Sequence, residues 1–167
     1  RLSRLVNDML ELSRLQSGTA SLSRSVFAPL PLFNLIHETY SAYAEDYQQT
    51  FVYDVPEDLP SVWGNPDRTQ QVLIVLLDNA FKYTPEGGVV TLSACAEGDV
   101  VRVRVRDTGV GIPAADLPHV FDRFYKVDKS RSANKNSTGL GLYIVKTIVK
   151  AHGGSIAASS RENQFTA

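Results

Sequence analysis

The chain has little of what an extracellular or membrane-embedded protein needs. It contains one cysteine, Cys95, so no internal disulfide can form, and the composition suits a reducing compartment such as the cytoplasm. No apolar run approaches the ~20 residues of a membrane-spanning helix, and no signal-peptide pattern is visible. The net charge of −1 provides no basic field, which argues against a general attraction to nucleic acid or to an anionic membrane.

The composition predicts one compact domain with a short appendage. Hydrophobic residues make up 43% of the 167-residue chain and charged residues 21%, which is ordinary for a globular protein that buries a core. The chain starts at Arg1 inside a helical pattern, so we expect it to be part of a longer protein. The lack of a membrane-spanning run therefore leaves open whether a membrane segment anchors the parent protein.

A helix is predicted over residues 1–17. Apolar residues recur there at the a/d spacing of a coiled-coil helix, and Gly18 is a suitable C-cap. The seam residues are Leu2, Leu5, Met9 and Leu12. The pattern fits a helix that pairs with a partner helix, and it also fits an amphipathic helix that packs on its own domain. Residues 18–28 are mostly small and polar, which predicts a linker, or a short edge strand around Leu22 to Phe27.

The rest of the chain mixes helical and strand patterns. We expect a helix over 32–47, a strand over 51–55, a helix over 66–82, strands over 89–96 and 100–106, a short helix near Leu117, a loop over 126–137, a helix over 140–151 and a strand over 154–159. Hairpin-type strands interspersed with helices indicate an α+β fold. The expected form is a two-layer α/β sandwich, in which a mixed sheet is covered on one face by helices.

The helix over 66–82 has a clear start signal. Asn65 can cap it, Pro66 suits the first helical position, and Asp67 complements the helix dipole. On or near one of its faces lie Val72, Val75, Leu76 and Asn79.

The strand over 100–106 alternates valine with arginine. Val101, Val103 and Val105 are predicted to face the core, while the three intervening arginines face solvent. An arginine row could also contact nucleic acid, but the near-zero total charge favours a solvated sheet face.

Four short segments combine residue types that suit nucleotide chemistry. The first is residues 77–84, where Asn79 and Lys82 share a helix face and Tyr83 follows. An amide oxygen is a suitable Mg²⁺ ligand, and an ammonium suits a phosphate. Taken alone, the segment is better explained as a helix end with a solvated lysine.

The second segment, residues 107–111, follows a strand directly. A carboxylate at a strand end, here Asp107, can accept a hydrogen bond from an exocyclic amine such as that of adenine. Gly109 and Gly111 let a flat ligand approach the backbone closely. A tight turn with a capping aspartate is the simpler alternative.

The third and fourth segments flank the polar loop. Residues 121–125 hold three aromatic and two charged side chains, which could cover a base or could simply belong to the core. Residues 138–142 open a helix with two glycines, and a helix N-terminus of this kind binds phosphate through its free amides. An ordinary glycine-containing N-cap would look the same.

The order and spacing of these four segments are more specific than any one of them. Together they resemble the N, G1, F and G2 boxes of the histidine kinase branch of the ATPase superfamily that also holds DNA gyrase, a heat-shock chaperone and the mismatch-repair ATPases. Residues 1–15 look like the second helix of the dimerisation domain in bacterial sensor histidine kinases. The resemblance covers nearly the whole chain, and it implies a partial dimerisation helix over 1–17, a linker over 18–28 and a catalytic ATP-binding domain over 29–167.

The resemblance also implies a role for each matching residue. Asn79 would hold the Mg²⁺ that bridges the phosphates, Lys82 would contact phosphate, and Tyr83 would line the nucleotide. Asp107 would bond the adenine amine, with Gly109 and Gly111 shaping the base site. Residues 126–137 would form a lid. From its base Tyr125 and Lys126 would reach ribose or phosphate. The phosphates would be wrapped by Thr138, Gly139, Leu140, Gly141 and Leu142.

Two positions depart from the family pattern. Val75 stands where many relatives have another asparagine, which puts the surroundings of the metal in doubt. Ser137 stands where the glycine-rich box usually has its first glycine, which would stiffen lid closure.

The acceptor histidine of the family is not recognisable in this chain. The family transfers the γ-phosphoryl of ATP to a histidine on the first dimerisation helix, which would precede Arg1. His37-Glu38 is followed by Thr39-Tyr40 rather than by the arginine and proline of the acceptor motif, and His119 and His152 lack a suitable acidic neighbour. We therefore expect Mg-ATP binding without autophosphorylation of the isolated chain.

The implied partners are the phosphoacceptor helix of the parent kinase, a second copy through the N-terminal helix, and a response regulator. The implied location is cytoplasmic, with no direct membrane contact and no nucleic-acid partner. A non-kinase ATPase of the same superfamily and a degenerate kinase kept as a scaffold remain the alternatives. The stimulus, the sensor domain and the cognate regulator leave no signal in this sequence.

Overall fold

The computed structural model describes residues 23–127 and 138–161, together with residues 6–7, 9–10 and 13. The chain divides into two compact units, one built on Ser23–Gly111 and the other containing Ile112–Glu162. The described positions before residue 14 are all helical, in agreement with the predicted N-terminal helix. The other residues of the predicted helix, the start of the linker and residues 128–137 of the predicted loop, which include Ser137, lie outside the described residues.

The described elements follow the predicted order closely. They are β1 (Ser25–Phe27), α1 (Leu30–Asp46), β2 (Thr50–Asp54), β3 (Val62–Gly64), α2 (Pro66–Tyr83), β4 (Val89–Glu97), β5 (Val100–Asp107), a 3₁₀ turn (Leu117–His119) and α3 (Gly141–Ala151).

The unit built on residues 23–111 is the predicted mixed sheet with helices on one face. Its three strands lie in the order β2-β4-β5, with β2 parallel to β4 and β4 antiparallel to β5. The covered face presents alternate residues of each strand to α1 and α2, and Val90 and Leu92 are fully buried there. Side chains alternate across a strand, so the remaining positions face away from the helices.

Helix α2 begins as its sequence predicts. The Asn65 side-chain oxygen accepts a hydrogen bond from the Arg68 amide at 2.9 Å, and Pro66 occupies the first helical position. The core stripe of α2 consists of Leu73, Leu77, Ala80 and Phe81. That stripe is displaced by one residue from the face predicted through Val72, Val75, Leu76 and Asn79, all of which are half-buried. Leu77 is fully buried, and burial of such a side chain stabilises the fold by about 1.5–3 kcal/mol.

Strand β5 only partly follows the predicted alternation. Val101 and Val105 pack against the core, but Val103 is 39% exposed, so its predicted burial is wrong. β5 is the outermost strand of the described sheet, so its side chains are covered less completely than those of β4. The arginines between the valines are exposed as predicted, and Arg102 pairs with Glu97 at 2.6 Å.

A second, two-stranded sheet was not predicted. β1 pairs antiparallel with β3, in a register that places Val26 opposite Trp63. The strand alternative for the region around Leu22 to Phe27 is therefore confirmed over Ser25–Phe27. β3 is three residues long and begins two residues after Pro60, so it is too short to show the apolar–polar alternation by which a strand is recognised in a sequence.

In the other unit, α3 buries Ile144, Val145 and Ile148. The helix ends in a Schellman motif, since Gly154 N donates to Val149 O at 3.0 Å and Gly153 N to Lys150 O at 2.9 Å. Gly153 has a φ of +77°, as the predicted glycine C-cap requires. The strand predicted over 154–159 is wrong, because those described residues lie in no strand and pair with no other described strand.

Candidate functional site

The last two turns of α2 carry the first predicted set of site residues. Asn79 is half-buried, whereas Lys82 and Tyr83 are exposed. The Lys82 ammonium nitrogen lies 5.0 Å from the centre of the Tyr83 ring. Asn79 forms no side-chain hydrogen bond with another described residue, so its amide oxygen can accept a ligand.

The carbonyl groups at the C-terminal end of α2 have specific partners. Thr84 donates both its amide and its hydroxyl to Ala80 O, at 3.1 and 2.7 Å. Gln49 Nε2 donates to Phe81 O at 3.0 Å and to Thr84 O at 2.5 Å. Val110 N donates to Tyr83 O at 3.2 Å. The backbone carbonyls that a helix end leaves without intrahelical partners are thus bonded by two separate loops, one containing Gln49 and the other containing Val110.

The loop at residues 107–111 is fixed to both the sheet and the helix end. Asp107 Oδ1 accepts a hydrogen bond from Gly109 N at 2.9 Å, which closes a tight turn after β5. Thr108 N donates to Val89 O at 3.0 Å, and Val89 N donates to the Thr108 hydroxyl at 2.9 Å. Asp107 itself is exposed, and its second carboxylate oxygen has no hydrogen bond to a described residue.

Glycine is required at two positions in this loop, for different reasons. A Cβ atom on Gly109 would lie 2.5 Å from Tyr83 O, a distance that real Cβ atoms do not adopt. Gly111 has a φ of +76°, in the left-handed region that favours glycine. The loop therefore approaches the end of α2 backbone to backbone, which brings Asp107 and Tyr83 into one local arrangement.

The segment before the predicted lid lies in the other unit and contains a small polar cluster. Tyr125 donates its hydroxyl to Asp116, and His119 Nδ1 lies 2.8 Å from Asp122 Oδ2. The hydrogen bond to Asp116 is the main cause that raises the pKa of Tyr125 above its ordinary value. The rings of His119 and Tyr125 are 5.4 Å apart. Lys126 is exposed beside this cluster.

The glycine-rich segment is joined to the same region through Phe124. Phe124 N donates to Gly139 O at 3.0 Å, and a Cβ atom on Gly139 would lie 2.9 Å from the Phe124 carbonyl carbon. Both residues adopt positive φ, +63° for Phe124 and +73° for Gly139. Positive φ is uncommon for a bulky side chain and indicates local strain held by the surrounding structure.

Helix α3 opens immediately after that contact. Leu140 is the N-cap residue, is fully buried, and forms no side-chain cap hydrogen bond. Leu140 N lies 3.4 Å from the Thr138 hydroxyl. Gly141 and Leu142, both half-buried, form the first turn. A helix N-terminus without a side-chain cap presents its amides to an anion.

The structure thus brings the predicted residues together in two sets. In the unit built on residues 23–111, the backbone of Tyr83 contacts the loop at 107–111, and Asn79 and Lys82 precede Tyr83 on the same helix. In the other unit, Phe124 joins the residues around Tyr125 to the segment 138–142. Sequence reasoning missed Gln49, whose two acceptors lie 32 and 35 residues away and leave no local signal.

Within the described residues, no three His, Cys, Asp or Glu side chains are grouped closely enough to hold a metal ion together. None of the helices in those ranges is long and apolar enough to cross a membrane.

The family of the chain follows from comparison with known proteins. The histidine kinase-, DNA gyrase B-, and HSP90-like ATPase family matches residues 64–167. That range contains all four motif segments and more than half of the chain, and the chain belongs to this family.

Sensor histidine kinases are the relatives it resembles. The chain is 40% identical over 168 residues to the sensor histidine kinase WalK of Bacillus subtilis, covering 99% of this chain and 27% of WalK. It therefore spans about a quarter of the length of that curated relative. The resemblance predicted from the four motifs is confirmed.

Solved structures give the same result. Full-length ShkA in complex with AMPPNP matches with a TM-score of 0.78 and 30% identity, over 95% of this chain and 34% of ShkA. The catalytic domain of histidine kinase ThkA, in a nucleotide-free form, matches with a TM-score of 0.71 and 28% identity, over 85% of this chain and 90% of that domain. The predicted fold class is confirmed.

Proposed function

We propose that this chain binds Mg-ATP and transfers the γ-phosphoryl group to a histidine on a dimerisation helix, for relay to an aspartate of a response regulator. The observation that carries the proposal is the backbone contact between the end of α2 and the loop at 107–111. It joins Asn79 and Lys82, which suit metal and phosphate, to Asp107, which suits the adenine amine.

In the proposed adenine site, the free carboxylate oxygen of Asp107 accepts a hydrogen bond from the exocyclic amine. Gly109 N already occupies the other oxygen at 2.9 Å, which fixes the orientation of the carboxylate. A neutral amine-to-carboxylate hydrogen bond is charge-assisted and discriminates against a base that has a carbonyl at that position. Gly111 leaves the backbone near this carboxylate without a side chain, which suits the approach of a flat ring, while Gly109 lets the loop pack directly against Tyr83 O.

Candidate phosphate contacts are proposed in each unit by itself. Lys82 and Lys126 are exposed ammonium groups that can pair with phosphate oxygens. The amides at the start of α3, in the segment 138–142, suit the phosphate chain, because the Leu140 side chain does not cap the helix. The Leu140 amide itself donates to the Thr138 hydroxyl, and a phosphate oxygen would take the place of that hydroxyl. Tyr83 would line the nucleotide, and Tyr125 would reach the ribose or a phosphate after its hydroxyl leaves Asp116.

The residues present fit a magnesium ion that the nucleotide brings. Asn79 offers one neutral, hard oxygen ligand that is not engaged with a described residue, and Mg²⁺ usually takes few protein ligands while retaining waters and phosphate oxygens. Bound Mg²⁺ would neutralise phosphate charge as it develops in the transfer. Val75, on the face of α2 that includes Asn79, supplies no second amide.

The proposed reaction is a phosphoryl transfer between two nucleophiles. A histidine ring nitrogen attacks the γ-phosphorus, an N–P bond forms, and the bond from the γ-phosphorus to the bridging oxygen breaks with its electron pair leaving on ADP. The ring proton passes to an acidic neighbour of the acceptor histidine. This chain would supply orientation and charge stabilisation rather than the nucleophile.

The histidines of this chain have other partners. His37 stacks on Tyr53 with ring centres 4.2 Å apart, and His152 Nδ1 lies 2.8 Å from Ile148 O. His119 Nδ1 lies 2.8 Å from Asp122 Oδ2, so the expectation that His119 has no acidic neighbour is wrong, but the surrounding sequence does not match the acceptor motif. We therefore propose that the acceptor lies in a dimerisation helix outside the described residues, and that residues 1–17 are part of that domain, residues 18–28 a linker, and residues 29–167 the catalytic domain. A response regulator, a second copy of the parent and a cytoplasmic location complete the proposal.

Calorimetric titration with Mg-ATP, comparing the parent chain with Asp107→Asn, tests the nucleotide site. Loss of a charge-assisted hydrogen bond should weaken binding by about tenfold to a hundredfold. Asp99→Asn is the matched control, because Asp99 is an exposed aspartate at the turn between β4 and β5 and should leave binding unchanged. Saturable binding that only Asp107→Asn weakens supports the site, and no binding by the parent chain refutes it.

Transfer is tested separately with γ-labelled ATP. The isolated chain should stay unlabelled, and a protein carrying the parent's acceptor helix should gain an acid-labile label when mixed with it. Steady hydrolysis with no labelled protein would favour a non-kinase ATPase, and label on this chain alone would place the acceptor among its own histidines.

A further inference from the structure

Gln49 caps two helices at once. Its backbone amide donates to Ala44 O at 2.9 Å, while Gln48 N donates to Glu45 O at 3.2 Å. These two hydrogen bonds, with Gln48 at a φ of +54°, form a Schellman motif that ends α1. The motif fixes where the Gln49 side chain starts.

From there the side chain reaches the end of α2. Nε2 donates one hydrogen to Phe81 O at 3.0 Å and the other to Thr84 O at 2.5 Å. Both acceptors are carbonyl oxygens, so only the nitrogen of the amide can face them. The Gln49 Oε1 atom is buried with no hydrogen-bond partner among the described residues. The orientation of the Gln49 amide that leaves Oε1 unsatisfied is therefore the one that allows Nε2 to bond both Phe81 O and Thr84 O at the end of α2.

Neighbouring backbone bonds hold the same segment against the turn that follows α2. Gly87 N donates to Gln48 O at 2.7 Å, and Thr50 N donates to Gly88 O at 2.9 Å. The carbonyl that receives Val110 N belongs to Tyr83, which lies between the two residues that Gln49 binds. Gln49 and the loop at 107–111 therefore bond different carbonyl groups of the same helix end.

We infer that Gln49 is a positioning residue for the nucleotide site. By bonding Phe81 O and Thr84 O it holds Tyr83 O where Val110 N can reach it, and so sets the distance between the metal- and phosphate-binding end of α2 and Asp107. The inference rests on the proposed function for its effect on nucleotide affinity, but its structural part concerns only the Tyr83–Val110 hydrogen bond.

Gln49→Met separates positioning from stability. Methionine has a similar length but no donor, so Phe81 O and Thr84 O lose their partner. The same substitution removes the buried, unsatisfied Oε1, which is itself unfavourable. The loss of the two hydrogen bonds lowers the stability of the fold, and the removal of the unsatisfied Oε1 raises it. The methionine side chain, however, supplies no hydrogen bond that would hold the end of α2 in place.

The test uses the whole chain and two measurements, made well below the melting temperature of each variant. The first is the Kd for Mg-AMPPNP by calorimetry, and the second is the hydrogen-exchange rate of the Val110 amide by NMR. Gln49→Met should raise the Kd about tenfold, because the end of α2 loses the two hydrogen bonds, to Phe81 O and Thr84 O, that position it relative to Asp107. The Val110 amide should also exchange faster. Gln49→Lys should restore both, since an ammonium donates to carbonyls and suits a helix C-terminus.

Gln48→Met is the matched control, because the side chain of Gln48 is exposed and only its backbone takes part in these bonds. Parent-like Kd and parent-like Val110 exchange in Gln49→Met overturn the inference, whatever the melting temperature. Equal losses in Gln48→Met also overturn it. If the parent chain binds no nucleotide, the proposed function fails, and Val110 exchange still decides the role of Gln49. If Gln49→Met does not fold, Gln49→Asn, which keeps the amide but shortens its reach, answers the same question.

Discussion

Tyr83 and Gly109 are in contact through their backbones, so closely that a Cβ atom on Gly109 would lie 2.5 Å from Tyr83 O. Tyr83 ends the helix that carries Asn79 and Lys82, and Gly109 follows Asp107 in the loop after β5. The contact couples the helix end to the loop. A change in either should therefore alter both the proposed metal- and phosphate-binding residues on α2 and the proposed adenine-binding residue Asp107.

Gly109→Ala should force that contact apart. The added methyl group meets backbone atoms, which cannot rotate away, and overpacking of this kind costs about 1–3 kcal/mol of folding free energy. Mg-ATP affinity should fall more than the loss of stability alone explains. Gly98→Ala is the control, because Gly98 has positive φ but no atom near its Cβ position, and it should lower stability without altering affinity. Unchanged affinity in Gly109→Ala would contradict the prediction.

Gly139→Ala should break the contact with Phe124. Gly139 and Gly153 both have positive φ, +73° and +77°, but only Gly139 has a neighbour within reach, at 2.9 Å. Both alanine variants bear the backbone penalty of about 1–2 kcal/mol, so the additional destabilisation in Gly139→Ala measures the steric contact. Urea unfolding of the two variants provides that difference. Equal destabilisation would mean that the segment 138–142 moves aside freely.

Asn79→Ala should remove the magnesium dependence of nucleotide binding. The parent chain should bind AMPPNP more tightly with Mg²⁺ than with EDTA, and the variant should bind equally in both, at the parent's EDTA level. Asn34→Ala serves as the control. Asn34 is an exposed asparagine on α1 whose side-chain oxygen accepts a hydrogen bond from the Tyr53 hydroxyl, and its loss should leave the magnesium dependence of binding unchanged. A variant that keeps the parent's ratio of affinities would exclude Asn79 as the ligand.

Gln48→Gly should stabilise the chain. Gln48 adopts a φ of +54° at the end of α1, where glycine is the usual residue. Relief of the left-handed strain outweighs the greater chain entropy of glycine by about 0.5–1 kcal/mol, which corresponds to a rise in Tm of about 1–4 °C for a chain of this size. Differential scanning fluorimetry measures it, with Mg-ATP affinity expected to stay constant. A lower Tm would show that the side chain contributes more than its exposure indicates.

Tyr40→Phe should weaken the alkaline loss of stability. Burial, followed by the hydrogen bond to Asp78 at 2.7 Å, raises the pKa of Tyr40 far above its ordinary value. Below pH about 10 both the folded and unfolded chains keep the proton, and above it only the unfolded chain releases it, so stability falls as pH rises. Urea unfolding from pH 8 to 11 should show a shallower decline for Tyr40→Phe than for the parent or for the exposed-site control Tyr47→Phe. An identical decline would remove Tyr40 as a cause.

The sequence was most informative where local rules decide the structure. Asn65, Pro66 and Asp67 define the start of α2 through short-range capping, and Gly153 defines the end of α3 through its backbone freedom. The order of the four motif segments was equally readable, because the residues that suit metal, phosphate and adenine are each adjacent to an element boundary.

Contacts between residues that are distant along the chain could not be predicted from the sequence. Gln49 looks like any polar loop residue, and its role appears only when α1 and α2 are packed. Trp63 lies in a strand whose partner is β1, a pairing across more than 35 residues that no local pattern announces. The strand predicted over 154–159 was wrong for the converse reason: a suitable composition forms a strand only beside a pairing strand, and these residues pair with none of the described strands.

The alternation of valine and arginine in β5 also restricts how the β4–β5 hairpin can assemble. Val105 opposes Leu92 on the buried face, while Arg104 opposes Ser93 on the other. A shift of one residue would exchange these faces and place guanidinium groups, which cannot be deprotonated, among the core side chains. The arginines therefore penalise misregistered pairings far more than they stabilise the native one, so this hairpin should have a single productive alignment during folding.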